Sequence, residues 1–138
     1  ENPKIKWENH FKNSINELLK NKNIRIILVY PIPEVGFDIT TRLKNFKFFS
    51  INIYDTSYKV FKDRTKSSFD LLDSVQGNNV YRVYPHTLFC DTTIKDRCIT
   101  HDYKNIFYSD DDHPSIKGAE MINDLIMKEI EKFELKFN

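Results

Sequence analysis

Glycine is nearly missing from this chain: three in 138 residues, too few for a glycine-rich phosphate loop or a low-complexity linker. Long apolar runs are missing as well. The longest, Ile24 to Val29, has Arg25 inside it and falls far short of the roughly 20 residues that a bilayer span needs. No signal-peptide pattern stands at the start. The chain opens Glu1-Asn2-Pro3 without an initiator methionine, which leads us to expect a processed or excised piece of a longer protein. Charge of one sign is not in excess: 30% of residues are charged, yet the formal net charge is +1. That balance gives no argument for nucleic acid or an anionic membrane surface as a partner, and the Lys and Glu residues read as solvated faces. Cysteine occurs twice, Cys90 and Cys98, eight apart in a polar stretch. Further ligands at tight spacing are absent around them, so a zinc site has the least support. Two free thiols and a disulfide closing a short surface loop both stay open.

What is present suits one domain with a usable core. Trp7, Phe11, Ile15, Leu18 and Leu19 recur at helical spacing and predict an amphipathic helix over about 6–20. Ile24 to Tyr30 reads as a buried parallel strand ended by Pro31 and Pro33, in a loop running to Gly36. Phe46 to Tyr54 is apolar and β-prone, either a short strand or an extended approach to the next helix. From about Asp55 to Gln76, Tyr58, Phe61, Phe69, Leu72 and Val75 share one face of a helix, with Gly77 as its C-cap. Val80 to Tyr84 is a short strand stopped by Pro85, residues 86–109 form a long loop, and a last helix begins near Pro114. The alternation predicts a single α/β domain, 1–138, with a parallel sheet. Two strands alone would be marginal, so we expect missed strands or the C-terminal part of a larger sheet, whose exposed edge invites a homodimer.

The chemistry concentrates in Tyr108-Ser109-Asp110-Asp111-Asp112-His113-Pro114-Ser115, followed by Gly118-Ala119. An acid three positions before a histidine, on a loop entering a helix, can set a carboxylate against one imidazole nitrogen and leave the other to take a proton from a hydroxyl. Asp110 has that spacing to His113. Asp111 and Asp112 then read as acids favourable at the positive end of the helix dipole. Two plainer readings compete: an N-cap with His113 exposed, and a hard-cation site of carboxylates and imidazole. His10 reads as solvated on the first helix, and His86 and His101 as surface loop residues. Tyr54 and Tyr58 with Arg64 border a sugar-binding cleft or, more plainly, are half-buried packing residues with wet tips.

The string Asp110-x-x-His113-Pro114-Ser115-x-x-Gly118-Ala119 resembles the last block of the SGNH (GDSL-type) hydrolase superfamily. Further strings, Ile26-Ile27-Leu28-Val29-Tyr30-Pro31-Ile32-Pro33-Glu34, Tyr84-Pro85, Leu88-Phe89-Cys90, Cys98 and Phe107-Tyr108, are similar to the SGNH domain fused behind membrane acyltransferases of the acyltransferase-3 type. The resemblance covers roughly residues 24–130. It implies a flavodoxin-like three-layer α/β/α fold, here incomplete, with His113 as general base and Asp110 as its orienting acid. It implies O-acylation, often O-acetylation, of cell-surface glycans such as lipopolysaccharide, in a periplasmic domain of a bacterial inner-membrane protein with an upstream acyltransferase membrane domain. An extracytoplasmic setting would favour a Cys90–Cys98 disulfide. No cofactor and no metal is called for.

The family's Gly-Asp-Ser-like nucleophile block and its Gly- and Asn-bearing oxyanion blocks have no counterpart here. Ser109 and Ser115 flank His113 too closely to be activated by it. We therefore expect this chain alone to be inactive, its serine lying outside it. Two rivals stand beside that reading: a non-catalytic α/β module that binds a glycan or partner domain, and a metal-dependent hydrolase using Asp110, Asp112 and His113.

Overall fold

A computed structural model describes residues 3–44 and 54–134. The first helix, α1 (Pro3–Leu19), starts on a proline, whose missing N–H is unneeded in a first turn. Phe11, Ile15 and Leu19, spaced by four, lie along the face that meets Leu28, Tyr30, Val75 and Val80. The rest of the predicted stripe does not go inside: Trp7 is 61% exposed and Leu18 is also exposed.

Strand β1 (Ile26–Val29) pairs in parallel with β3 (Val80–Val83), Ile26 opposite Val80 and Val29 opposite Val83. Side chains alternate across this pair. Leu28, Tyr30 and Val80 turn toward α1 and toward α3 (Tyr58–Asp73), while the Tyr81 ring sits 3.6 Å from that of Phe133 on the last helix, α4 (Ile116–Glu134). Helices thus cover both faces of a small parallel sheet. This mixed α/β arrangement is consistent with part of a flavodoxin-like α/β/α fold. No helix among the described residues is long and apolar enough to cross a membrane.

The structure corrects several sequence-based expectations. The helix expected over 55–76 is preceded by a strand, β2 (Asp55–Ser57), and stops at Asp73. Ser57 ends the strand and starts the helix, its hydroxyl accepting from the Val60 N–H. Ser74, not Gly77, closes α3, through its backbone N–H to the Asp70 carbonyl. An unforeseen short helix, α2 (Ile39–Lys44), begins at Asp38, whose carboxylate takes the Thr41 N–H and the hydroxyls of Thr40 and Thr41. Those bonds hold the Asp38 carboxyl well below the usual range. The strand considered over Phe46 to Tyr54 lies outside the described residues apart from Tyr54.

The expected long loop over 86–109 is a built structure. A 3-10 helix (Pro85–Leu88) leads to Cys90, and β4 (Arg97–Ile99) pairs antiparallel with β2. Cys90 and Cys98 form a disulfide. Asp91 and Asp96 take the left-handed conformation at the turn between them, φ 59° and 60°, which aspartate tolerates because its side chain can bond the local backbone. Asp91 does so, accepting from the Asp96 N–H at 2.6 Å. His86 and His101 are buried rather than on the surface. His101 is held by two local contacts: its Nε2 accepts from the Tyr54 N–H and its Nδ1 faces the Asp102 carbonyl.

Candidate active site

Two backbone contacts close the segment around His113. Ser115 donates its N–H to the Phe107 carbonyl at 2.9 Å, and Ser109 donates to the His113 carbonyl at 2.9 Å. Residues 109–113 are therefore the tip of a tight two-sided ribbon whose base is packed. At that base Phe107 and Tyr108 are buried with Val35, Ile39, Phe89 and Ile99. The Ser115 hydroxyl donates to the Ile106 carbonyl and accepts from the Gly118 N–H, so it caps an α4 that starts at Ile116, two residues after the expected Pro114. Gly118 is required by contact: a Cβ there would lie 2.1 Å from the Phe107 carbonyl oxygen. The Pro-Ser-x-x-Gly letters are thus the seam between α4 and the ribbon, and their role is structural.

At the tip, Asp110 uses both carboxylate oxygens. One accepts the backbone N–H groups of Asp112 at 3.0 Å and His113 at 2.7 Å, and the other lies 2.9 Å from His113 Nδ1. The two backbone bonds, then the imidazole, bring the Asp110 carboxyl down to about 2. His113 is pushed above its ordinary value by the bond and charge of Asp110, then by the charges of Asp112 and Asp111. The predicted contact between Asp110 and His113 is therefore present. With Nδ1–H donated to Asp110, Nε2 is the basic nitrogen, and it has no hydrogen-bond partner among the described residues.

Asp112 is more than an acid near a helix dipole. Its Oδ1 lies 2.8 Å from the same Nδ1. Asp110, Asp112 and His113 bring three ligand atoms within 4.8 Å of one another, a donor set of two carboxylates and an imidazole that suits a divalent cation. These are the three residues that the sequence offered as a rival cation site; what it did not show is that Asp112, adjacent to His113 in the chain, meets the ring through the turn. Neither neighbouring serine addresses the ring: the Ser109 hydroxyl bonds the His113 carbonyl, and that of Ser115 is used in the helix cap.

The His113 side chain is 71% exposed. A cavity of about 360 Å³ lies nearby, lined by the loop after β1, by Thr56 and Ser57, and by α3 from Val60 to Ser68. His113 does not line it. The two regions are joined by a short backbone bond, Val35 N–H to the Asp111 carbonyl at 2.6 Å. Both stand beyond the carboxyl end of β1, where ligands gather in open α/β sheets. Of the residues suspected of bordering a sugar cleft, Arg64 does line this cavity, whereas Tyr54 and Tyr58 do not.

A family model described as an SGNH domain (fused to AT3 domains) matches residues 2–128. No curated protein and no solved structure matches the chain.

Proposed function

The chain belongs to the family of SGNH domains fused to AT3 domains, and from that premise we propose that it supplies the acid–base pair of an O-acyltransferase or esterase acting on cell-surface glycan hydroxyls. The acyl group is acetyl, and the chemistry runs through a serine ester. The observation that carries this reading is the 2.9 Å contact of His113 Nδ1 with Asp110, which leaves Nε2 without a partner.

In the proposed sequence, Nε2 takes the proton of a serine hydroxyl located outside these residues as that oxygen attacks the acyl carbonyl. The imidazolium then returns the proton to the departing group. The same nitrogen next deprotonates a sugar hydroxyl, whose oxygen attacks the serine ester and releases the serine. Asp110 fixes the tautomer and stabilises the imidazolium at each stage. An upstream membrane acyltransferase domain would deliver the acyl group on the extracytoplasmic (periplasmic) side, a setting with which the Cys90–Cys98 disulfide agrees.

The test is turnover of acyl ester by the full-length protein. His113→Ala and Asp110→Asn are expected to lower it roughly a thousandfold, the usual scale of a lost general base, with the fold retained. Because the base must be unprotonated, the rate should climb with pH through the raised pKa of His113, and Asp110→Asn should move that rise to lower pH. Near-normal turnover in both variants rejects the assignment. A second reading, a non-catalytic module that binds a glycan or partner domain, is favoured by one observation, the open exposure of the His113 ring. Turnover in the native protein that survives both substitutions would select it.

A further inference from the structure

The cavity beside the acidic turn has a lining of a particular kind. Val35, Val60 and Phe61 give it apolar walls, while Glu34 and Arg64 meet across it in an ion pair of 3.1 Å. Its volume, about 360 Å³, lies at the lower end of the roughly 300–1,000 Å³ typical of small-molecule sites. Gly36, with φ 75°, turns the loop at its edge, a conformation that favours glycine.

The hydroxyls around it fall into two groups. Ser57 and Thr65 are engaged, one capping α3 and the other donating to the Phe61 carbonyl. The side-chain hydroxyls of Thr56 and Ser68 have no hydrogen-bond partner among the described residues and can bond a guest. Arg64 has one of its five N–H donors on Glu34, and the rest remain to donate. A donor and an acceptor held side by side match two neighbouring hydroxyls, each of which can both give and take a hydrogen bond. The pair is neutral overall, so it favours neither an anion nor a cation. The apolar walls match the C–H faces of a sugar ring, which a purely polar guest would lack.

We propose that this cavity is the subsite for a neutral pyranose ring of the acceptor, with Glu34 and Arg64 reading adjacent ring hydroxyls. The inference rests on the glycan acyl-transfer reading above and adds to it the place and charge class of the sugar. The Val35–Asp111 backbone bond makes the cavity wall and the turn carrying His113 one continuous support. A ring seated in the cavity would therefore extend toward the base from a fixed wall.

The experiment is saturation-transfer NMR on the full-length protein with a panel of methyl glycosides: gluco-, galacto-, manno- and rhamnopyranosides, and the glucuronide. Neutral members of the panel are expected to bind at millimolar level and more tightly than the glucuronide. Glu34→Ala and Arg64→Ala, both at exposed positions, should each weaken binding by about tenfold, the scale of a lost charged hydrogen bond, and Thr56→Val should weaken it less. His113→Ala should leave binding unchanged. Absence of binding by every neutral glycoside, or binding indifferent to both substitutions, overturns the subsite. If His113→Ala abolishes acyl-ester turnover while sugar binding ignores Glu34 and Arg64, only this inference fails. If turnover survives His113→Ala while the sugar still depends on them, only the catalytic reading fails.

Discussion

The aromatic pocket beneath α3 and the acidic turn before α4 each surround one histidine, and they push it in opposite directions. His86, on the 3-10 helix, sits among the rings of Tyr58, Phe61, Phe69 and Tyr84, with centroids 5.4 to 6.1 Å away. Its Nδ1 is buried without a hydrogen-bond partner, and burial lowers its pKa. His113 stands in water with carboxylates on its Nδ1, and its pKa is raised. The same side chain is kept neutral by apolar rings in one place and readied to accept a proton in the other. On the proposed function, stability resides in the first region and proton transfer in the second, so substitutions should separate them.

The strongest way to break that division is at Gly118. Alanine there gains about 1 kcal/mol of helix propensity, but its methyl meets a backbone carbonyl at 2.1 Å, which cannot rotate away as a side chain would. The clash wins. Gly118→Val should cost about 3 kcal/mol, the upper end of ordinary overpacking, in denaturant unfolding, and should lower turnover by displacing the turn. His113→Ala should leave the denaturation midpoint close to the native one, as surface changes usually do. Equal effects of the two on stability would erase the contrast.

Next in size is the Cys90–Cys98 bridge. Its sequence separation of eight closes a short loop, for which chain entropy gives roughly 2.5 kcal/mol. The bridge packs with Phe61 under the first turn of α3. Cys90→Ser with Cys98→Ser should lower the unfolding free energy by about that amount and loosen the cavity wall, measurable as faster amide exchange at residues 60–65. An unchanged denaturation midpoint would show that the loop is held by the β2–β4 pairing alone.

The parallel pair and its flanking helices were legible because long apolar periodicity is set by the element itself: Ile26 to Val29, Val80 to Val83, and the stripes of α3 and α4. The Asp110–His113 contact was legible because it is local, three residues within one turn. What was missed depends on distant partners. Strand β2 is three residues, too short for alternation to register, and exists through pairing with β4 forty residues later. His86 follows a strand-ending proline, which reads as a surface loop, and is buried because Tyr58, Phe61 and Phe69 of α3 fold over it. Asp38-Ile39-Thr40-Thr41 did hold a usable signal for α2, an aspartate N-cap before two threonines. The cavity draws on the loop after β1 and on α3, and no local pattern announces Glu34 and Arg64 as a pair.

The smallest effect is also the one that tests the opening contrast most directly. A histidine whose folded pKa is depressed is fully compatible with the fold above its unfolded value, about 6.5. As pH falls below that, the unfolded chain takes up a proton that the folded His86 resists, so stability declines with acidification. The limit for one proton is about 1.4 kcal/mol per pH unit. His113 has the reverse sign: its raised pKa contributes stability that is whole below the unfolded value and fades as pH rises through the folded one, a small effect for a ring in water. Asp110, brought down to about 2, loses its contribution only as pH drops through the carboxylate range, from about 4 downward. Between pH 6.5 and about 5 the decline therefore belongs to His86 rather than to either member of the acidic turn. Urea midpoints of His86→Phe should be flat across that window where the native protein slopes downward, and those of His113→Ala should keep the native slope. A slope unchanged in His86→Phe would mean that the aromatic cage admits the charged ring, and that the two histidines are not the opposites their surroundings make them.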